Sequence, residues 1–132
     1  MNDRILVDTD ILIDAGRGDV AAIDFLEKTE KEAVLSISVI TVMELFVGCK
    51  NKREQKTVER FTKRFERLPL TEIISLTALQ LLKRYRLSHG LLIADALIAA
   101  TAKVHYIPLV SKNQKDYRYI EDLKLLHYPP EQ

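Results

Sequence analysis

Short apolar, β-branched segments alternate with amphipathic helical stretches along almost the whole chain, and this alternation limits its fold to a small set. Ile5–Val7 reads as a buried strand, and a short helix in Ile11–Ala15 stops at Gly16. Asp19 can cap a second helix through about Thr29, with Val20, Ile23 and Leu26 on one face. Val34–Ser38 alternates apolar and hydroxyl residues, the period of a strand. A helix then starts near Thr41 and reaches about Cys49. Asn51–Arg67 reads as one long amphipathic helix with Val58, Phe61, Phe65 and Leu68 inward, closed by Pro69. Thr71–Ile74 is expected to form a short strand, and Ser75 to cap a helix through Tyr85. Gly90 precedes an Ala-rich helix around Asp95, and Ile107–Val110 and Leu123–Leu126 read as two more strands. The pattern predicts one α/β domain over residues 1–132, a parallel sheet of about five strands with helices on both faces. Ligands bind such sheets beyond the carboxyl ends of the strands, near the switch in strand order. Asp8 follows the first strand and Asp116 the fourth, so both are expected at that edge.

Composition excludes more than it selects. At 132 residues, 47% hydrophobic and 30% charged, the chain can bury a real core and is too short for two domains. The single cysteine, Cys49, cannot form an internal disulfide, which fits a reducing compartment. The histidines are scattered, so a Ser/His/Asp or Cys/His nucleophilic site has no visible basis. No apolar run reaches the roughly 18 residues that span a bilayer. The Met1-Asn2-Asp3-Arg4 start runs straight into a strand with no signal peptide, and a cytoplasmic protein is expected. With a net charge of +1, attraction for nucleic acid has to be local.

Four acidic residues are hard to explain as packing: Asp8, Glu44, Asp95 and Asp116. An ionised carboxylate beside buried surface costs several kcal/mol unless it is paired or binds metal. Basic residues are scarce next to these positions, and one divalent cation would compensate several acids together. Each acid also has a plainer reading. Asp8 could cap the helix at Ile11, a task Asp10 could share. Thr41-Val42-Met43-Glu44 matches a capping box, in which the glutamate binds the Thr41 N–H. Asp116 could be an ordinary loop acid. Asp95 has the weakest plain explanation, because Ala94, Ala96, Leu97, Ile98, Ala99 and Ala102 surround it and a helix dipole contributes under ~1 kcal/mol.

Taken together these residues resemble the PIN domain, specifically the VapC-type toxins of toxin–antitoxin pairs. The resemblance rests on Val7-Asp8-Thr9-Asp10-Ile11-Leu12-Ile13, then Thr41-Val42-Met43-Glu44-Leu45 with Gly48 behind it. It continues through Asp95-Ala96-Leu97-Ile98-Ala99-Ala100-Thr101-Ala102 and ends in Ser111-Lys112-Asn113 with Asp116-Tyr117. Carried over position by position, the family's metal-binding acids fall on Asp8, Glu44, Asp95 and Asp116, and its accompanying polar residue on Asn113. Two positions depart from the pattern: Asp10 adds a carboxylate where an amide or hydroxyl is common, and Tyr117 replaces the usual phenylalanine.

The resemblance implies a metal-dependent endoribonuclease, a homodimer neutralised by a small VapB-like antitoxin. The residues agree with that chemistry, since all-oxygen ligands suit Mg²⁺ or Mn²⁺ rather than Zn²⁺. Asp8, Asp95 and Asp116 would hold metal, Glu44 would bind it or orient water, and Thr9, Ser111 and Asn113 would support the acids or the phosphate. Between Lys50 and Arg67 the chain carries eight basic residues against three acidic ones. Arg53, Lys56, Arg60, Lys63 and Arg67 fall at helical spacing and form a candidate nucleic-acid stripe, with Lys83, Arg84 and Arg86 as a second cluster. Two rival readings exist. Val7-Asp8-Thr9-Asp10 also resembles the first motif of haloacid-dehalogenase-like phosphotransferases, whose later acidic pair and cap insertion are missing here. A catalytically silent PIN-like binding module is the other.

Overall fold

A computed structural model describes residues 3–130, so the reading of Met1-Asn2 lies outside the described residues. Five parallel strands form one sheet in the order β3-β2-β1-β4-β5. They are β1 (Asp3–Val7), β2 (Ala33–Ser38), β3 (Glu66–Leu68), β4 (Leu109–Val110) and β5 (Leu125–Leu126). Helices α1 (Thr9–Gly16), α2 (Val20–Thr29), α3 (Val39–Val47), α4 (Lys52–Thr62), α5 (Glu72–His89) and α6 (Ile93–His105) connect and cover them. A 3₁₀ turn, Gln114–Asp116, follows β4. Among the described residues no helix is long and apolar enough to cross a membrane.

Alternation along the strands sorts the core into two halves. Leu6 and Leu109 face α5 and α6, packing with Ile74, Leu81, Ile98 and Ala99. Val7, Leu35, Ile37 and Val110 face the other way onto Ile11, Leu12, Leu26 and Phe65. The strand order reverses between β1 and β4, so the crevice beyond their carboxyl ends is the switch point of the sheet.

Helix starts follow side-chain caps. Asp19 Oδ2 accepts the Ala22 N–H at 3.1 Å and starts α2. Two expected caps are displaced. Ser38 Oγ, not Thr41, caps α3 by accepting the Ile40 N–H at 3.1 Å, so the predicted Thr41/Glu44 capping box does not form. Thr71 Oγ1 accepts the Ile74 N–H at 3.3 Å, so α5 begins at Glu72 and the strand expected over Thr71–Ile74 is helix.

The long helix expected over Asn51–Arg67 is also shorter than its periodicity suggests. It ends at Thr62, and Glu66–Leu68 pairs in parallel with Ser36–Ser38. The physical reason is tertiary. Glu66 accepts from Arg4 Nη2 at 2.6 Å and from Ser36 Oγ at 2.8 Å, which fastens this segment to the open edge of β2. Phe65 and Leu68 then enter opposite halves of the core, which a helix face cannot do.

Candidate active site

Asp8 sits at the switch point, directly after β1, and is only 5% exposed. Its backbone N–H still continues the sheet, donating to the Val110 carbonyl at 2.9 Å. Its side chain is held on both oxygens. Oδ1 accepts the Thr9 N–H at 2.8 Å and Oδ2 accepts Ser111 Oγ at 2.7 Å, from the residue just after β4. Ser111 Oγ also lies 3.2 Å from Asp10 Oδ2, which further accepts the Asn113 backbone N–H at 3.0 Å. The other Asp10 oxygen, Oδ1, is buried without a hydrogen-bond partner. A hydroxyl and a backbone amide thus hold two carboxylates side by side across the β1–β4 crevice.

The other acids approach from helices. Glu44, on α3, is exposed, yet its carboxylate is held: Thr9 Oγ1 donates to Glu44 Oε1 at 2.7 Å and lies 2.9 Å from Thr41 Oγ1. Asp95 lies in the first turn of α6, where Leu92 supplies no side-chain cap. Its Oδ1 accepts the Tyr117 hydroxyl at 3.1 Å. Asp116 ends the 3₁₀ turn and is exposed.

Electrostatics join these carboxylates into one field. Burial pushes the Asp8 pKa up to about 7, and the Asp10 charge adds to it against the bonds from Ser111 and Thr9. Burial also raises Asp10. Asp95 is raised first by burial and then by the charges of Asp116, Glu44 and Asp10, with the Tyr117 hydroxyl opposing. The Tyr117 phenol is 1% exposed and held far above its ordinary range, by burial and then by Asp8 and Asp95. It stays protonated and donates to Asp95.

Among the described residues no ion pair answers this charge. The ion pairs of the described residues are Arg4–Glu66, Arg64–Glu30, Arg84–Glu121 and Lys112–Asp14, and none includes Asp8, Asp10, Glu44, Asp95 or Asp116. The oxygen-only donor set and the orphaned Asp10 Oδ1 fit a hard divalent cation. As they stand, no three His, Cys, Asp or Glu side chains among the described residues converge closely enough to hold one ion.

The expected site residues are brought to this edge in different ways. Thr9 and Ser111 hold acids through their hydroxyls, while Asn113 contributes its backbone N–H and leaves its side chain exposed. Tyr117 carries a contact that its sequence position does not announce, since its partner lies 22 residues earlier. Of the basic stripe, Arg53, Lys56 and Arg60 line a shallow groove on α4 with Lys52. Lys63 follows the helix as its C-cap, and Arg67 lies on β3, outside the stripe. In the second cluster Arg84 pairs with Glu121 at 2.9 Å, and Arg86 donates to the Gly90 and Leu91 carbonyls, so both have structural partners.

A parallel α/β sheet with acids gathered beyond the β1 and β4 termini defines a class, and the comparisons identify it. The PIN domain matches residues 5–122, and the chain belongs to that family. It is 40% identical over 121 residues to Ribonuclease VapC10 of Mycobacterium tuberculosis, covering 91% of this chain and 90% of that protein. Ribonuclease VapC1 of Methanocaldococcus jannaschii is 29% identical over 129 residues, 95% of this chain and 87% of its own. Among solved structures, a toxin–antitoxin complex from Klebsiella pneumoniae superposes with a TM-score of 0.76 at 30% identity, over 93% of this chain and 96% of the other. VapBC2 from Rickettsia felis, bound to a promoter DNA fragment, gives 0.78 at 25% identity, over 93% and 97%. The phosphotransferase reading of Val7-Asp8-Thr9-Asp10 falls with this assignment.

Proposed function

We propose that the protein is a VapC-type endoribonuclease toxin that hydrolyses RNA phosphodiester bonds with Mg²⁺ or Mn²⁺. The observation that carries this reading is a set of five carboxylates linked by their charges, two of them bridged by Ser111, with no basic side chain among the described residues paired to any of them. Left alone such a set costs stability, and a divalent cation together with a substrate phosphate gives it a use.

Asp8, Asp95, Asp116 and Glu44 would hold the cation, with Asp10 Oδ1 free to join them. When bound, the cation supplies Lewis-acid stabilisation of charge on the phosphate and favours ionisation of water. The chain's own residues prepare that chemistry. Ser111 and the Thr9 N–H fix the Asp8 carboxylate, and Tyr117 fixes one Asp95 oxygen while leaving the second for the ion. Thr9 turns Glu44 toward the crevice, where its carboxylate can orient water or join the ligands. Arg53, Lys56, Arg60 and Lys63 attract the RNA backbone, whose charge the acids would otherwise repel.

The partner is a small VapB-like antitoxin, a reading that the known toxin–antitoxin complexes of similar fold support. A groove of about 720 Å³ between α1, α3 and α4 offers it Leu12, Leu45, Val58 and Phe61, with Arg17 and Glu44 among the lining. A peptide seated there reaches one site acid directly. We further read the protein as cytoplasmic and as a homodimer, the second supported by the exposed Leu76, Leu79, Leu87, Leu92 and Ile93 on α5 and at the start of α6.

Incubating purified protein with RNA in Mn²⁺, in Mg²⁺ and in EDTA tests the central reading. Cleavage is expected with either metal and not in EDTA, and Asp95→Asn is expected to be inactive. Full cleavage in EDTA would refute the metal mechanism. Folded, metal-loaded protein that leaves RNA intact would mark a silent binding module.

A further inference from the structure

Three aromatic rings stand together where α5 meets the segment after the 3₁₀ turn. The His89 and Tyr119 rings are stacked, with centroids 4.1 Å apart and planes 6° from parallel. Tyr85 meets Tyr119 edge-on at 5.2 Å and His89 at 6.0 Å. The cluster is graded in depth. Tyr85 is buried and its hydroxyl accepts the Glu121 N–H at 3.1 Å, Tyr119 is half-buried, and His89 is exposed. Packing accounts for Tyr85. His89 stands at the exposed end of α5, its Nδ1 2.8 Å from Ser88 Oγ and its ring laid flat on Tyr119.

The position of the stack relative to the acids gives it a use. His89 lies six residues before Asp95, and Tyr119 lies three residues after Asp116. Between them Tyr117 bonds Asp95 directly, so both stacked residues lie close along the chain to site acids. The connection on the α5 side is firm: Gly90 adopts a φ of 73°, and Arg86 Nη1 holds the Gly90 and Leu91 carbonyls at 2.9 and 3.2 Å. The negative charges of Asp116 and Asp95 reach the Tyr119 hydroxyl and, after burial, push its pKa up. An acidic centre repels the sugar–phosphate chain on either side of the bond it cuts. A nucleobase carries no charge, so a flat aromatic face is a contact that such a site can offer at no electrostatic cost.

We propose that the His89–Tyr119 stack is a nucleobase subsite, on which a base next to the scissile phosphate lies flat against the open face of the His89 ring. The inference rests on the ribonuclease reading. Stacking reads no base edge, so the subsite anchors any base and favours the larger purine face.

Cleavage of a random-sequence RNA pool in Mn²⁺ by the unaltered protein, His89→Ala and His89→Phe tests the subsite, with sequenced cut ends and steady-state kinetics on one preferred oligonucleotide. His89→Ala is expected to lose roughly five- to hundredfold in kcat/KM, the range of one base–aromatic stack. The loss should appear as raised KM, with base preference flattened at a single position beside the cut. His89→Phe, which keeps a flat ring, restores both, and all three proteins melt alike. Unchanged kinetics and cut-site profile in His89→Ala overturn the subsite alone. A loss confined to kcat, or one that phenylalanine does not rescue, also overturns it, because His89 then acts on the acids and not on a base. Absence of cleavage by the unaltered protein overturns the ribonuclease reading and the subsite with it.

Discussion

At the scale of single residues, the site is a set of acids kept in an unfavourable state. Asp8 is buried beside Asp10, and its pKa stands near 7 instead of 3.8. A carboxyl group with a raised folded-state pKa binds its proton more tightly in the native protein. Its contribution to stability is complete below the unfolded value and is lost as pH rises through the folded one. Without metal, stability in denaturant is therefore expected to fall between about pH 4 and about pH 7, and Asp8→Asn should remove much of that slope. A slope unchanged in the variant would mean that Asp8 does not hold its proton this way. Tyr117 makes the opposite contribution, since its hydroxyl favours ionised Asp95. Tyr117→Phe is expected to fold, to raise the Asp95 pKa further as followed by carboxyl NMR, and to retain more activity than Asp95→Asn. Asp8 and Asp95 stand out in the sequence because each interrupts apolar surroundings. The bonds from Ser111 and Tyr117 join residues 103 and 22 positions apart, and no local pattern announces them.

At the scale of elements, caps and strand pairing decide where helices begin and end. Ser38 closes β2 and opens α3 in one residue, and its hydroxyl takes the Ile40 N–H. Ser38→Ala is expected to cost about 1 kcal/mol of stability in a denaturant titration. Activity per folded molecule should be kept, because Thr9 and not the cap holds Glu44. If Ser38→Ala instead abolished cleavage by folded protein, the position of Glu44 would depend on the cap. Helix α4 presents Arg53, Lys56 and Arg60 along one groove with no ion pair to any of them among the described residues. Reversing these three to glutamate should weaken RNA binding and lower its salt dependence, since fewer counterions are released. Equal affinity and equal salt slope would assign the stripe to a protein partner or to solvent. The overlong helix expected over Asn51–Arg67 has a tertiary cause. Val58, Phe61, Phe65 and Leu68 satisfy a helical period, yet Phe65–Leu68 also suits a short strand, and the open edge of β2 takes it.

At the scale of the whole molecule, the sheet order places β1 and β4 side by side and thereby creates the crevice that the acids line. Uncompensated charge there predicts a linked response to metal. Mg²⁺ or Mn²⁺ that binds only the folded state should raise the melting temperature by several degrees at saturating concentration. EDTA should reverse the rise. Asp95→Asn is expected to melt at or above the unaltered protein in EDTA and to gain less from metal. A variant that melts well below the unaltered protein in EDTA yet still cleaves RNA would make Asp95 a structural residue.

Local chemistry in the chain was enough to indicate the class of fold and to single out Asp8 and Asp95 as acids in apolar surroundings. Strand and helix periods follow from nearest-neighbour geometry, and a carboxylate amid Leu, Ile and Ala is conspicuous wherever it folds. Neither periodicity nor propensity contains partner choice between distant segments. Whether Glu66 would continue a helix or join β2 depended on Arg4 and Ser36, 62 and 30 residues away. Whether Glu44 would close a capping box or accept a long-range bond depended on Thr9, 35 residues away. Those choices belong to the folded state, because burial and hydrogen bonding between remote side chains gain their energy only once the sheet has assembled.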